Sequence, residues 1–233
     1  MNIDREMNSN LGDISVFAGL NRNQLQNISG LFYFKSFPAE KNIFIEKTPG
    51  ETVFFIVHGT VKLTRSFNDG SDMILDIIGD GEIFGEMSLL DFFTRSASAI
   101  TLKDSLLCWM GRVSFQYCLD TMPIIAKNLL VTLTNRQRHT LEKFCAYSKL
   151  DVMGMVAWCL LDLVEAHGLL LGTGEYLIPL RLTQSDLASL TMASRERINQ
   201  AIVLFKRAKL ITIDDNYQIK VKDKEALGKY CII

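Results

Sequence analysis

Apolar positions change their rhythm twice along the chain. From Ile14 to Leu31 they recur at helical spacing. They then gather into short runs, Asn42–Lys47, Val53–His58, Val61–Phe67, Met73–Ile78, Ala97–Leu102 and Leu106–Met110, rich in Val, Ile and Phe and alternating in part, which predicts strands. The breaks are turn chemistry: Thr48-Pro49-Gly50, His58-Gly59-Thr60, Asn68-Asp69-Gly70-Ser71 and Gly79-Asp80-Gly81. Close-set strands joined by tight turns predict an antiparallel sandwich or roll, since an open sheet would leave its edges exposed. From Pro123 to Ser148 the rhythm is helical, with proline in the first turn, where its missing N–H costs nothing. One stripe, Ala126, Leu130, Leu133, Gln137, Thr140, Phe144 and Tyr147, advances by alternating steps of four and three. That is the period of a two-helix coiled coil, about 3.5 residues. Ile125, Leu129 and Leu141 lie beside it. The helix is therefore expected to offer one face to its own β domain and a seam to a partner; a helix buried within one chain would carry the same pattern.

A break at Lys149-Leu150-Asp151 precedes another helix, Val152–His167, and the domain boundary is placed near residue 149. Gly168 closes that helix, and Gly172-Thr173-Gly174 leads into an extended piece, Tyr176–Leu182. Thr183 then caps a short helix ending near Leu190, with Asp186 at its positive end and Leu182 and Leu187 as a hydrophobic staple. After Thr191-Met192-Ala193, Ser194 caps a helix with two faces. Ile198, Ala201, Ile202, Phe205 and Ala208 share one side; Glu196, Asn199, Gln200, Val203 and Arg207 share the other, with Arg195 in the first turn. Arg, Glu, Asn and Gln are side chains that read base edges, and a helix-turn-helix delivers the first turn of its second helix to the major groove. Ile211-Thr212-Ile213, Asp214-Asp215-Asn216 and Gln218–Val221 read as a hairpin, the wing that follows such a pair. An ordinary helical hairpin with a solvated polar face would share the spacing. The wing, and the local surplus of Arg195, Arg197, Lys206, Arg207 and Lys209 over Asp186 and Glu196, favour a nucleic-acid contact.

The stretch Gly79-Asp80-Gly81-Glu82-Ile83-Phe84-Gly85-Glu86-Met87-Ser88-Leu89-Leu90, followed by Arg95-Ser96-Ala97, carries a second chemistry. Gly85 ahead of a short helix would leave N–H groups that favour an anion. Arg95 brings a fixed charge with a fork of donors suited to phosphate oxygens, and Ser96 adds a hydroxyl. Glu86, acceptor-only when ionised, suits a sugar hydroxyl. Together they would cradle a cyclic sugar phosphate; a Glu86–Arg95 ion pair bracing a loop is the plainer alternative.

Composition narrows the field. With 233 residues, 48% of them apolar, the chain has material for two compact domains or one large one. No apolar run reaches about 18 residues, so no membrane span is expected, and MNIDREMNSN lacks the layout of a secretory signal. Cys108, Cys118, Cys145, Cys159 and Cys231 are odd in number and far apart, which argues against a disulfide framework, a zinc site or a cluster and for a reducing cytoplasm. His58, His139 and His167 show no arrangement that predicts haem. The formal net charge of −1 confines any nucleic-acid contact to the local basic stretch. No nucleophile–base pair or metal constellation appears, so no enzyme, catalytic residue or metal site is expected.

At this point the chain resembles the CRP/FNR family of bacterial regulators over about residues 14 to 222. Phe84-Gly85-Glu86-Met87-Ser88-Leu89 with Arg95-Ser96-Ala97 looks like the phosphate-binding cassette of cyclic-nucleotide domains. The 123–148 helix looks like the family's dimer helix, Leu150-Asp151-Val152 like the start of its DNA-binding domain, and Ser194-Arg195-Glu196-Arg197-Ile198 like its recognition-helix motif. The resemblance implies an α+β fold: a β-roll sensor over 1–122, a dimerisation helix over 123–148 and a winged helix-turn-helix over 149–233. It implies that Glu86 holds a ribose hydroxyl, that Arg95 and Ser96 hold the cyclic phosphate with Gly85, Met87 and Ser88 around it, that Arg136 stands near the ligand-binding Glu, and that Thr140 and Leu141 face the purine. It places Arg195, Glu196 and Gln200 at base-reading positions, with Thr183, Ser194, Asn199 and Arg207 completing the DNA face. The implied regulator is a cytoplasmic homodimer that binds duplex operator DNA, engages RNA polymerase and takes a cyclic nucleotide, cyclic AMP first, as effector. A non-nucleotide effector, constitutive activity, and a sensor module acting on a protein partner are the alternatives.

Three departures matter. Leu141 stands where cyclic-AMP-responsive members have serine. Gln200 stands where the catabolite activator type has arginine, and Gln prefers adenine where Arg prefers guanine. Met192 occupies a turn position where glycine is usual; a left-handed conformation there would cost about 1–2 kcal/mol. Cluster-binding members use N-terminal cysteines, and this chain has none before Cys108.

Overall fold

The computed structural model describes residues 11–231; MNIDREMNSN lies outside them. The chain opens on two 3-10 turns, Leu11–Asp13 and Ser15–Phe17, before helix α1 (Arg22–Ser29), so the single helix expected over Ile14 to Leu31 is broken. The cause is a capping box: the Asn21 side chain accepts from the Gln24 N–H at 3.0 Å and Gln24 accepts from the Asn21 N–H at 2.9 Å. That reciprocal pair starts a new helix and excludes a continuous one through residue 21.

Eight strands follow: β1 (Tyr33–Phe37), β2 (Asn42–Phe44), β3 (Thr52–His58), β4 (Val61–Ser66), β5 (Asp72–Ile78), β6 (Ile83–Phe84), β7 (Ser98–Thr101) and β8 (Ser105–Gly111), with the short helix α2 (Met87–Leu90) between β6 and β7. They form two sheets, ordered β1-β8-β3-β6 and β2-β7-β4-β5. The pairs β1–β8, β3–β8, β3–β6, β2–β7 and β4–β7 are antiparallel, as a roll requires. β2 stops short of the expected Lys47, whose φ of 66° leaves the extended region. β3 shows why Val53–His58 reads as an unbroken apolar run: Val53 and Phe55 enter one core cluster, Phe54 and Ile56 the other. Phe17, Phe55 and Phe115 anchor the first cluster and Phe84 the second, all nearly inaccessible to solvent. Each contributes about 1.5–3 kcal/mol by burial.

Two further helices, α3 (Arg112–Thr121) and α4 (Pro123–Lys149), follow the roll. Neither β1 nor α3 was anticipated. Ile125 and Leu129 of α4 enter the first core cluster with Phe115, Cys118 and Met122, the face expected for the chain's own β domain. The stripe drawn for a partner needs correction. Leu133 packs against that same core and Tyr147 is half-buried, its hydroxyl donating to the Leu190 carbonyl at 2.6 Å. The exposed stripe is instead Leu130, Thr134, Gln137, Leu141 and Phe144, still stepping by four and three. Leu141, set beside the seam by sequence, lies within it. The reason is rotational: apolarity alone does not say which of two adjacent stripes a helix turns inward.

The second part of the fold contains α5 (Val152–His167), β9 (Leu169–Leu170), β10 (Tyr176–Ile178), α6 (Gln184–Thr191), α7 (Arg195–Arg207), β11 (Ile211–Ile213), β12 (Ile219–Val221) and α8 (Lys224–Gly228), with one sheet ordered β11-β12-β10-β9. Asp151 caps α5, accepting from the Gly154 N–H at 2.8 Å. By compactness the chain divides into two units: one takes in the chain up to Arg65 with Leu75–Arg138, the other Ser66–Ile74 with His139 onward. No helix among the described residues is long and apolar enough to cross a membrane.

Candidate functional site

In the first unit, Arg95 lies at the centre of the glycine-rich stretch and is 4% exposed. Nη1 donates to the Gly85 carbonyl at 2.7 Å and to Ser88 Oγ at 3.0 Å; Nη2 donates to the Thr52 carbonyl at 2.7 Å and to its Oγ1 at 3.0 Å. The guanidinium lies 4.2 Å over the Phe44 ring, a favourable placement for a cation on an aromatic face. Its Nε is buried with no hydrogen-bond partner. Burial draws the Arg95 pKa down from its ordinary value, opposed by Glu86 and Glu51, and an arginine stays charged regardless.

Two glycines make this arrangement possible. Gly85 has φ 75°, the left-handed region, and a Cβ there would stand 2.6 Å from Arg95 Nη1. A Cβ on Gly50 would stand 2.1 Å from Ser88 Oγ and 3.0 Å from Arg95 Nε. Ser88 is buried and its hydroxyl also donates to Gly85 O at 3.3 Å. Ser96 and Met87 are exposed, with Ser96 Oγ 3.7 Å from the Met87 sulfur.

Glu86 is 4% exposed and does not pair with Arg95. Its partner is Arg136 of α4, whose Nη1 donates to Glu86 Oε1 at 3.3 Å while Nη2 donates to the Ile83 carbonyl at 2.5 Å and lies 3.5 Å from Glu82 Oε1. The loop-bracing Glu86–Arg95 pair is thus replaced by one that ties the stretch to α4. Burial pushes the Glu86 carboxyl above the usual carboxylate range, and Arg136 holds it partly down. Thr140 and Leu141, both exposed, lie on α4 in the second unit, beyond Arg136.

Sequence reading missed three groups: Thr52, Phe44 and Arg112. Arg112, the first residue of α3, donates from Nη1 to the Leu89 carbonyl at 2.6 Å, from Nη2 to the carbonyls of Ser88 and Gly50, both at 3.1 Å, and from Nε to Glu51 Oε2 at 3.1 Å. Its guanidinium also lies 4.5 Å over the Phe92 ring. Its three carbonyl acceptors carry no side-chain signature, and Glu51 lies 61 residues away, so these contacts left no trace in the residue pattern.

In the second unit, α6 and α7 form the expected pair. Thr183 and Asp186 make a capping box: Thr183 Oγ1 accepts from the Asp186 N–H at 3.1 Å and the Thr183 N–H donates to Asp186 Oδ2 at 3.0 Å. The Thr183 hydroxyl also donates to that oxygen at 2.6 Å, so it is committed to the cap. Met192 is left-handed, φ 55° and ψ 26°, the strained turn that the sequence raised as a condition. Ser194 caps α7, accepting from the Arg197 N–H at 3.4 Å. Ile198, Ala201, Ile202 and Phe205 are buried, whereas Ala208 is exposed at the helix's C-cap, where the chain leaves the packed face. Arg195, Glu196, Arg197, Asn199, Gln200 and Arg207 are all exposed. Gln184 Nε2 donates to Asn199 Oδ1 at 3.2 Å, orienting the latter across the two helices. β11 and β12 pair antiparallel as the wing.

Residues 34–122 match the family model of the cyclic nucleotide-binding domain, and residues 156–230 that of the Crp-like helix-turn-helix domain. The chain is 30% identical over 223 residues to the CRP-like cAMP-activated global transcriptional regulator of Mycobacterium tuberculosis, across 96% of this chain and 99% of that protein. It is 29% identical to the cyclic AMP receptor protein of Thermus thermophilus, across 80% of this chain and 83% of that one. In fold it is similar to FixK2 from Bradyrhizobium japonicum, with a TM-score of 0.76 at 18% identity, covering 87% of this chain and 98% of that one.

Proposed function

Because the chain belongs to the CRP/FNR family of transcriptional regulators, and is not an enzyme, we propose that it is a homodimer whose roll binds a cyclic nucleotide and whose paired α7 helices read an operator. The observation that carries the ligand reading is Arg95, a desolvated cation fixed between Gly85, Ser88 and Thr52 with a buried N–H to spare. Such a group is suited to a phosphate oxygen. Glu86 would take the ribose hydroxyl, and Gly85, Met87, Ser88 and Ser96 would line the phosphate. Arg136 would sense the ligand through Glu86, and Thr140 and Leu141 would meet the base. The M. tuberculosis relative, named for activation by cAMP, supports cyclic AMP as the first candidate.

The exposed stripe Leu130, Thr134, Gln137, Leu141 and Phe144 supports pairing of two α4 helices. In this reading the roll spans 1–122, the dimer helix 123–148 and the DNA-binding domain 149–233. Ligand binding favours one placement of the two helix-turn-helix units, in which both α7 helices meet successive major grooves about 34 Å apart. Arg195, Glu196, Asn199 and Gln200 would address base edges. Thr183, Ser194 and Arg207 would lie toward the backbone. The dimer would act in the cytoplasm beside RNA polymerase.

One observation favours a second effector. Leu141 offers no hydroxyl where cyclic-AMP-responsive members have one, which suits a different nucleotide or a non-nucleotide ligand. The test is a gel shift on selected operator DNA with cyclic AMP, cyclic GMP or neither. Stimulation by one nucleotide is expected, and abolition of that stimulation in Arg95→Lys. Equal DNA binding in all three conditions would remove the nucleotide from the mechanism.

A further inference from the structure

Arg112 stands outside every role assigned above, yet it joins several parts of the cassette. Its guanidinium reaches the carbonyls of Ser88 and Leu89 on α2, the carbonyl of Gly50, the Glu51 carboxylate and the Phe92 ring. Its own N–H donates to the Glu51 carbonyl at 3.0 Å. One planar fork therefore holds three chain segments: the loop before β3, the helix α2 with the turn after it, and the start of α3. Gly50 is also the residue whose missing side chain leaves room for Ser88 and Arg95. The Phe92 backbone needs such support, since its φ of 62° is left-handed for a bulky residue. Leu89 enters the core cluster that contains Phe115 and Cys118 of α3, then Met122, then Ile125 and Leu129 of α4. Polar and apolar contacts thus lead from α2 in the same direction, through α3 into α4.

We infer that Arg112 is a positioning residue: it holds the turn from Gly85 to Phe92 in its ligand-ready shape and ties it to α3, the helix that leads into α4. The inference rests on the nucleotide reading of the cassette. Lysine cannot replace it, because a point charge on a flexible stem reproduces neither the fork nor the stacking on Phe92.

The experiment compares wild type, Arg112→Ala, Arg112→Lys and Glu51→Gln by two readouts. The first is amide exchange at Leu89, Leu90 and Asp91, whose N–H groups bond back to Glu86 and Met87. The second is calorimetric affinity for cyclic AMP and cyclic GMP. Arg112→Ala and Arg112→Lys are expected to speed exchange at those amides at least tenfold, leave exchange in α7 unchanged, and weaken nucleotide binding at least tenfold. Glu51→Gln, an exposed change that spares the core, is expected to give about a third of that effect on a logarithmic scale. Unchanged exchange or unchanged affinity in Arg112→Ala overturns the role, and full rescue by lysine overturns its forked geometry. Should Arg112→Ala fail to fold, Glu51→Gln decides by the same two readouts. If wild type binds neither nucleotide, the cassette reading falls, and exchange alone decides whether Arg112 holds the turn.

Discussion

Gly50→Ala isolates the Arg95 cradle better than any change to Arg95. A Cβ at residue 50 would lie 2.1 Å from Ser88 Oγ and 2.6 Å from Ser88 Cβ. The second atom matters more, since a hydroxyl can rotate away but a Cβ moves only with its backbone. Ser88 is 3% exposed, so it has no solvent to swing into. Overpacking of this kind costs about 1–3 kcal/mol. Alanine returns about 0.4–1 kcal/mol by narrowing the unfolded ensemble, which leaves a net loss of about 0–2.6 kcal/mol. Ligand binding should suffer more. If Ser88 shifts, Arg95 loses the alignment of a charge-assisted hydrogen bond, worth about 1.5–3 kcal/mol, or about ten- to a hundredfold in affinity. The assay is calorimetry with cyclic AMP, alongside thermal melting, with Gly30→Ala as control because a Cβ there would have no heavy atom within 4 Å. Affinity within threefold of wild type, at any melting temperature, would refute the claim that Gly50 makes room for the Ser88–Arg95 contact.

Leu141→Asp with Phe144→Asp puts charge into the exposed stripe of α4; sedimentation should report a monomer, and operator affinity should fall at least a hundredfold, whereas a persisting dimer would place the interface elsewhere. Gln200→Arg should move the preferred base from adenine toward guanine by about 1–3 kcal/mol, read by binding-site selection; an unchanged operator would remove Gln200 from base reading. Glu86→Gln tests the buried carboxyl. Its pKa is raised in the folded chain, so the folded state holds that proton more tightly than the unfolded one. The stability this lends wild type is full below the unfolded value and is lost as pH rises through the folded one. Melting curves between about pH 4 and 7 should show the variant gaining on wild type with pH, and a flat difference would mean that burial does not raise the carboxyl's pKa.

The sequence disclosed elements whose signal is local. Val152–His167 is bounded as read because Asp151 caps it and Gly168 ends it. The pair around Met192 was legible for the same reason, since Thr183 and Ser194 both cap with their own side chains. What escaped was whatever depends on distant or backbone partners. Glu86 and Arg136 are 50 residues apart, and only the family resemblance set them near each other. Arg95 could be singled out as a candidate anion ligand, but its anchors include the carbonyls of Thr52 and Gly85, which could not be. Helix α3 was missed because its inward residues, Phe115 and Cys118, are too few to establish a period beside the apolar run of β8. The stripe on α4 had the right period and the wrong rotation, because Leu133 and Leu141 are the same residue type with opposite fates.

The proposed sites would meet phosphate under opposite electrostatic conditions. Arg95 has already left water: its desolvation is offset within the folded chain by two carbonyls, two hydroxyls and an aromatic face. An incoming phosphate would meet a charge in a medium of effective dielectric about 20, where a unit pair at 4 Å gains about 4 kcal/mol against about 1 in bulk water. Arg195, Arg197 and Arg207 remain exposed, and their gain on DNA would come from released counterions, with about 0.9 of a logarithmic unit of salt slope for each phosphate neutralised. The dry site would select by shape, because Arg95 is already oriented; the wet site would gain affinity by number and select through Glu196, Asn199 and Gln200.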